Sequence, residues 1–409
     1  MEWHPISEVS AALNVSIDTI RRWEKKGLIK ARRCEKGNRI FHADEVRRVL
    51  EKTGETKQVE RPFATLKATQ PSPYKVVELF SGAGGLALGM ENAGLGCEML
   101  VELDKHACAT LRHNRPEWKT IEGDIHHVSF VNVEAAVVAG GFPCQAFSYA
   151  GKRLGFEDTR GTLFYEFARA VQEIQPKVIV GENVKGLLRH DSGRTLETML
   201  RVLDELGYFV AYRVLRAQYL DVAQKRERLV ILGVRKDLGH SIAFPVEKNY
   251  TVSVREALQD VPLSAGQQYT EKKLNIMMQV PEGGYWRDLP LPVQQSYMGA
   301  SFHLGGGKTG MARRLAWDEP SLTLTCNPAQ KQTERCHPDE TRPLTVREYA
   351  RIQSFPDDWT FMGSTAAQYK QIGNAVPVNL GYHIGKAVIA MLTGEYTPDL
   401  EHVTPHTPS

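Results

Sequence analysis

From Tyr74 onward the sequence predicts an α/β fold, a parallel sheet wrapped by helices, with a small helical domain ahead of it. Three observations predict this. Short apolar runs alternate with helix-length segments, glycine-rich turns close several of those runs, and residues 1–52 carry a helical periodicity of their own. In a parallel sheet, ligands bind outside the carboxyl ends of the strands. The polar residues of interest all fall at those ends.

Composition narrows the class. A chain of 409 residues has room for two or three domains, and 42% hydrophobic with 24% charged residues describes an ordinary folded protein. No apolar run approaches the roughly 18 residues of a membrane helix. Met1-Glu2-Trp3-His4-Pro5 lacks the basic and apolar regions of a signal peptide, so a cytoplasmic protein without a membrane partner is expected. Six cysteines without tight spacing suggest free thiols rather than disulfides, and no metal-ligand spacing stands out. The net charge is +3, and residues 1–60 hold all of it, with 13 Lys/Arg against 10 Asp/Glu. The remainder balances at 38 against 38, so electrostatics alone does not mark a nucleic-acid binder.

In the first segment, Ile6, Val9, Ala12 and Leu13 recur at helical spacing, with Ser7 as a cap. Asn14-Val15-Ser16 breaks the run, and Ser16 can cap a second helix from Ile17 to about Lys25, stopped by Gly27. Thr19, Arg21, Arg22 and Lys25 form its polar face. A turn at Cys34–Arg39 precedes Ile40-Phe41, and Asp44 opens a further helix to Leu50. This pattern resembles the winged helix-turn-helix domains of MerR-type regulators and phage excisionases, which implies DNA contact through Arg21 and Arg22. A small helical interaction domain that never touches DNA is the other reading. Residues 53–73, with three prolines and no periodicity, read as a linker.

Lys75-Val76-Val77-Glu78-Leu79 reads as the first strand, running into the turn Phe80-Ser81-Gly82-Ala83-Gly84-Gly85. A second strand ends near Val101-Glu102, a third near Gly123-Asp124-Ile125, and a fourth, after Ala135–Ala139, at Cys144. A glycine-rich turn lets backbone approach a ligand closely, and a carboxylate ending the second strand can accept from both hydroxyls of a ribose. Asp124 could accept from an adenine amino group, with Ile125 against the ring. Gly141-Phe142-Pro143-Cys144-Gln145 lifts a thiol out of a strand end, where a thiolate can act as a nucleophile. Glu182-Asn183-Val184 ends another apolar strand, Val178-Ile179-Val180. Arg226 and Arg228 stand two apart before Leu229–Leu232, so they point the same way. The stretch Gln145–Gly161 holds Ser148, Lys152, Arg153 and Arg160 among three glycines, as a basic lid would.

These motifs, in this order, resemble those of the DNA cytosine carbon-5 methyltransferases from about Tyr74 to Leu392. The resemblance implies a Rossmann-like S-adenosylmethionine-dependent methyltransferase sheet with a smaller target-recognition domain. It assigns a catalytic domain to residues 74–236, target recognition to 237–335, and a returning catalytic part to 336–395. It further implies that S-adenosylmethionine is held by Phe80, Gly82, Gly85, Glu102, Asp124, Ile125 and Leu163. Asn374 and Val376 of Gln371-Ile372-Gly373-Asn374-Ala375-Val376-Pro377 close the pocket. Some relatives carry an aromatic where Leu103 stands. Cys144 is the implied nucleophile toward cytosine carbon 6, and Glu182 the protonated carboxyl on ring nitrogen 3. Arg228 is implied on the base oxygen and Arg226 on phosphate or loop. Ser148, Lys152 and Arg153 are implied contacts to double-stranded DNA around a flipped base.

Tail residues 396–409 read as disordered. The expected activity is DNA cytosine-5 methyl transfer by a monomer, with a restriction endonuclease acting separately on the same sequence. A transcription regulator with a methyltransferase-like platform, and an RNA cytosine methylase of the same family, are the alternatives.

Overall fold

The computed structural model describes residues 3–13, 17–25, 28–34, 37–43, 45–46, 49, 63–143, 162–304 and 308–406. It divides into two compact units, Met1–Arg61 and Pro62–Ser409.

In the first unit, β1 (Trp3–Pro5) leads into α1 (Ile6–Ala12) and α2 (Ile17–Lys25), followed by β2 (Arg32–Arg33) and β3 (Arg39–His42). The three strands form an antiparallel sheet in the order β1-β3-β2. Val9, Leu13, Ile20, Ile29, Phe41, Val46 and Val49 make its core. The spacing that predicts α2 holds to the residue, but α1 begins at Ile6, so Ser7 lies inside the helix rather than capping it. The β2–β3 hairpin closes on Gly37, whose φ of +77° lies where glycine costs least. Arg21 on α2 and Arg32 and Arg33 on β2 are exposed, while Arg39 pairs with Glu24 of α2 at 2.5 Å. The side chain of Arg22 lies outside the described set, as do Ser16, Gly27 and Asp44.

The second unit is built on β4 (Lys75–Leu79), β5 (Gly96–Glu102), β6 (Thr120–Glu122), β7 (Val137–Gly140), β8 (Val178–Val184), β9 (Tyr208–Arg216), β10 (Gln224–Lys225) and β11 (Glu227–Arg235). Seven of them form one sheet in the order β6-β5-β4-β7-β8-β11-β9. Strands β4 to β8 run parallel, as the alternation predicts. The parallel run ends at β11, which is antiparallel to both β8 and β9 and makes the sheet mixed. The reason is chain length. The connection from Arg216 to Glu227 is too short for a crossover helix, so the chain turns back on itself.

Alternate residues along the strands serve opposite faces, as strand geometry requires. Val77, Val138 and Ile179 pack under α5 (Leu163–Ile174) and α6 (Arg194–Glu205). Val76, Val137 and Val178 pack under α3 (Gly85–Ala93) and the apolar Val378–Thr393 helix. Between these, α4 (Lys105–Asn114) covers the β5 side and contributes Leu111 to a third cluster.

Beyond β11, β12 (Ile242–Pro245) and α7 (Val254–Leu258) belong to the body, since Ile242, Phe244, Val254 and Leu258 join its cores. The expected recognition region therefore gains a core of its own only further along, in a cluster with Met277, Trp286, Leu289, Met298, Met311 and Cys336. It holds α8 (Glu271–Met277) and α9 (Leu291–Met298). Arg314 is buried and donates to the carbonyls of Met277, Val280, His337, Pro338 and Glu340. The chain then returns through β13 (Ser321–Leu322), α10 (Val346–Ile352), α11 (Thr365–Asn374) and α12 (Val378–Thr393). The stretch Thr365–Thr393 is long and apolar enough by composition to cross a membrane, contrary to expectation. It is 83% buried in its most apolar part and broken at Pro377, as core helices are.

Two segments expected to be loose are bound. Within 53–73, Leu66 N donates to Asn379 Oδ1 at 2.9 Å and Asn379 Nδ2 to Ala64 O at 3.1 Å, strapping residues 64–66 to the start of α12. The tail forms β14 (Leu400–Val403), antiparallel to β12, with Arg213 and Glu401 paired at 2.7 Å. Its four residues, half-buried at the ends and exposed between, carry no period-two pattern that would stand out beside the Thr/Pro composition of their neighbours.

One buried ionic knot pins α12. Asp221 accepts from His383 Nε2 at 2.8 Å, Tyr250 OH at 2.6 Å and Lys248 Nζ at 2.5 Å. Burial alone would raise its carboxyl, but these hydrogen bonds outweigh it and hold the group well below the usual carboxylate range. Asp221→Asn should cost on the order of 3 kcal/mol of stability at pH 7, because three donors lose their charged acceptor. A depressed carboxyl stabilises the fold above its unfolded pKa of about 3.9 and ceases to do so as pH falls toward its folded value. The gap between wild type and Asp221→Asn in denaturant titrations should thus be full above about pH 5 and narrow below about pH 4.

Candidate active site

The carboxyl ends of β4, β5, β7 and β8 surround a cavity of about 540 Å³, closed on its far side by residues 370–376. Its described walls include Phe80, Gly82, Glu102, Glu182, Arg226, Arg228, Asn374 and Val376 of the residues expected from sequence.

The first turn is shaped by backbone geometry. Phe80 has φ +57°, a left-handed conformation that costs a non-glycine residue about 1 kcal/mol or more, and Gly82 and Gly84 follow at +53° and +82°. The chain thereby reverses tightly enough to turn the backbone of 81–82 toward the cavity. Gly82 N donates to Glu102 Oε2 at 2.7 Å, while Glu102 Oε1 accepts from Leu103 N at 2.9 Å and Asp104 N at 2.8 Å. Glu102 so ties the turns after β4 and β5 together. A carboxylate offers about four lone-pair sites, so one remains for a ligand hydroxyl.

Gly85 has a different task from the one expected. It does not line the cavity; a Cβ there would stand 2.1 Å from the carbonyl oxygen of Val376. Its role is close packing of α3 on the 375–376 backbone, and Leu86 faces the cavity instead. Asp124, Ile125 and Leu163 are likewise absent from the described walls. Asp124 caps the short turn Ile125–His127, accepting from His126 N at 3.0 Å and meeting its ring Nδ1 at 2.6 Å, and those contacts hold its carboxyl below the ordinary value. Ile125 is buried in the core, and half-buried Leu163 packs against the same cluster. Leu103 is 69% exposed.

The second half of the cavity is ionic. Glu182 on β8 stands opposite Val230 on β11, and Arg228 stands opposite Val184, so the two are diagonal neighbours on one face of the sheet. Arg228 Nε meets Glu182 Oε1 at 2.7 Å, and both side chains are nearly nine-tenths buried. Burial raises the Glu182 carboxyl above its ordinary value, and the attraction of Arg228 and Arg226 only partly offsets it. Asn183, buried next to it, donates Nδ2 to Phe142 O at 2.7 Å and accepts from Val184 N at 2.8 Å. It anchors the turn Gly141–Pro143 that leads to Cys144. Cys144, Ser148, Lys152, Arg153 and the rest of the expected lid lie outside the described residues.

Of the two expected partners of Arg226, phosphate or loop, the structure shows the loop. Arg226 is 1% exposed, donating NH1 to Leu324 O at 3.2 Å and NH2 to Gly373 O at 3.1 Å. Desolvation, with repulsion from Arg228, pulls its guanidinium below the ordinary value. The side chain is long enough to enter from a strand start and hold two loops, which sequence spacing cannot distinguish from a surface charge.

Three wall residues were missed. Glu78 is buried on β4 with Oε2 lacking a hydrogen-bond partner. Burial first, then Glu102 and Glu182, push its carboxyl well above the usual range. A single acid inside the apolar run Lys75–Leu79 was the available signal. Asp104 and Lys370 pair at 2.8 Å and both border the cavity, joining α4 to α11.

A family model described as C-5 cytosine-specific DNA methylase matches residues 74–390, and one described as MerR family regulatory protein matches residues 5–41. The chain is 55% identical over 399 residues to Type II methyltransferase M.Eco47II of Escherichia coli, covering 95% of each. It is 60% identical over 338 residues to Type II methyltransferase M.PspPI of Psychrobacter sp. strain TA137, covering 80% of this chain and 81% of that one. Among solved structures it is similar to the S. pombe Dnmt2 methyltransferase, with a TM-score of 0.55 at 17% identity over 78% of this chain and 98% of that one. At that identity the likeness speaks to the fold alone.

The packing role of Gly85 is open to a direct check. Gly85→Ala should lower stability by about 1–3 kcal/mol in calorimetry, because the Val376 carbonyl must move. Gly123→Ala, where a Cβ meets nothing within 4 Å, should be near neutral.

Proposed function

We infer the mechanism from one premise: the chain belongs to the C-5 cytosine-specific DNA methylase family and is a DNA cytosine-5 methyltransferase. The observation that carries the assignment of roles is the buried Glu182–Arg228 pair beside the turn that Asn183 anchors. Carbon 5 of cytosine is a poor nucleophile and must be activated. The Cys144 thiolate adds its electron pair to carbon 6, and the ring π electrons become available at carbon 5. Glu182, kept protonated by burial, donates to ring nitrogen 3 and relieves the charge that the addition creates. Arg228 orients Glu182 and faces the base oxygen. Once carbon 5 is methylated, its proton leaves to water, the ring double bond re-forms, and the carbon–sulfur bond breaks with its electrons returning to Cys144.

The donor in this reading is S-adenosylmethionine, which when bound supplies an electrophilic methyl group. The residues present fit it. Glu102 offers its remaining lone pair to a ribose hydroxyl, Phe80 and Val376 offer apolar surface, and Gly82 and Asn374 line the same cavity. The orphaned Oε2 of Glu78 gives a cationic ligand a nearby acceptor. The substrate is duplex DNA with the target cytosine swung out of the stack, because carbons 5 and 6 are inaccessible within it. Ser148, Lys152 and Arg153 contact that DNA. The enzyme acts as a monomer, and a restriction endonuclease reading the same sequence acts separately.

The N-terminal unit adds a second DNA contact in this reading, supported by exposed Arg21 on α2 and exposed Arg32 and Arg33 on the wing. It raises local enzyme concentration without touching the chemistry.

Cys144→Ser should abolish methyl transfer while DNA binding persists, and duplexes carrying 5-fluorocytosine should trap the wild type covalently. A Cys144→Ser enzyme with near-normal turnover overturns the mechanism. Glu182→Gln should lower kcat by about 100-fold or more. The wild-type rate should fall as pH rises through the elevated pKa of Glu182, because the deprotonated carboxylate cannot donate to nitrogen 3. Removal of residues 1–61 should leave the target sequence unchanged while weakening DNA binding and flattening its salt dependence, as fewer phosphates are neutralised. Unchanged affinity and slope would instead make this unit a protein-interaction domain.

A further inference from the structure

Two fully buried amides outside the cavity hold its far wall in register. Gln224 on β10 and Gln353 at the end of α10 are each 0% exposed. Gln224 Nε2 donates to Gln353 Oε1 at 2.8 Å. Gln353 Nε2 in turn donates to the carbonyls of Ile372 at 2.7 Å and Ala375 at 3.2 Å. Gln224 Oε1 accepts from Leu324 N at 2.8 Å. Arg226 bridges the same two loops from the cavity side, through Leu324 O and Gly373 O.

Backbone meets backbone where these loops touch. A Cβ on Gly373 would stand 2.3 Å from Thr325 O, so the 324–326 and 372–376 segments abut with no side chain between them. Leu324, Ile372 and Ala375 pack in one apolar cluster, but such packing is non-directional. Directional hydrogen bonds set the register of the wall, and an amide supplies both a donor and an acceptor. Burying two of them without partners would be costly, so their mutual pairing and their grip on three backbone groups form one satisfied unit.

We propose that Gln353, with Gln224 behind it, is a positioning residue that sets the Gly373–Val376 wall for cofactor binding. It touches neither substrate nor cofactor, since neither amide lines the cavity. It acts through Asn374 and Val376, which do. This rests on the reading of the cavity as the S-adenosylmethionine site.

The test is calorimetric titration of the full-length protein with S-adenosylmethionine. Gln353→Met keeps the length of the side chain and removes its hydrogen bonds. Its Kd should rise about tenfold, with duplex DNA affinity and the KM for DNA within about twofold of wild type. A role in stability alone would lower Tm and leave the Kd of the folded protein unchanged, which would overturn the proposal. Gln353→Asn, too short to reach both carbonyls, should weaken cofactor binding in the same selective way and serves if Gln353→Met does not fold. The double variant Gln224→Met/Gln353→Met should lose less affinity than the two single losses combined, since each removes the other's partner. Strict additivity would dissolve the unit. If the wild type itself binds no S-adenosylmethionine, the cofactor reading fails rather than the positioning role.

Discussion

The active cavity depends on one reversal of strand direction. Strands β4, β7 and β8 bring their carboxyl ends to one edge of the sheet, and a parallel neighbour would present its own carboxyl end there. Because β11 runs antiparallel to β8, its beginning meets the end of β8, and Arg228 lies beside Val184. Arg228, which precedes an apolar run, thereby reaches Glu182, and Arg226 borders the same cavity. In a wholly parallel sheet the same residues would sit at the opposite edge, a strand length away. The short connection after β9 that forces this reversal is therefore as necessary to the chemistry as the charged residues themselves.

Around that edge the protein concentrates charge where water is scarce. Glu182 and Glu78 are carboxyls whose burial favours the neutral form, and Arg226 and Arg228 are guanidiniums whose burial disfavours the charged form. A buried pair is weak support for stability, since desolvation offsets attraction. In the proposed mechanism its value is in poise: the same low polarity that makes the ion pair inefficient favours Glu182 as a donor. The cost is carried by ordinary apolar packing on both faces of the sheet and by satisfied knots elsewhere, such as Asp221 under α12.

The far wall shows a second economy of means. Residues 372–376 approach α3 at Gly85 and the 324–326 loop at Gly373, each contact close enough that a methyl group would not fit. Backbone thus meets backbone on both sides of Asn374 and Val376. Hydrogen bonds from Arg226 and Gln353 give direction to that contact, and the apolar packing of Leu324, Ile372 and Ala375 adds to it.

Much of this was legible before the fold was seen. Strand Lys75–Leu79, helix Ile17–Lys25, the turn after Phe80 and the site residues Glu102, Glu182 and Arg228 follow from periodicity, glycine placement and motif order, because these are local properties. What the sequence by itself determined is which residues end strands and which of them are titratable. It could not separate Arg226 from Arg228, or Gly85 from Gly82, because each pair looks alike in one dimension. Only the tertiary structure decided that Arg226 holds two loops, that Gly85 packs against the Val376 carbonyl, that Arg314 is a core staple, and that the tail holds a strand. Burial, strand direction and the partners of a side chain are set by segments far apart in sequence. Gln353 lies 129 residues from Gln224, and no local pattern encodes that hydrogen bond.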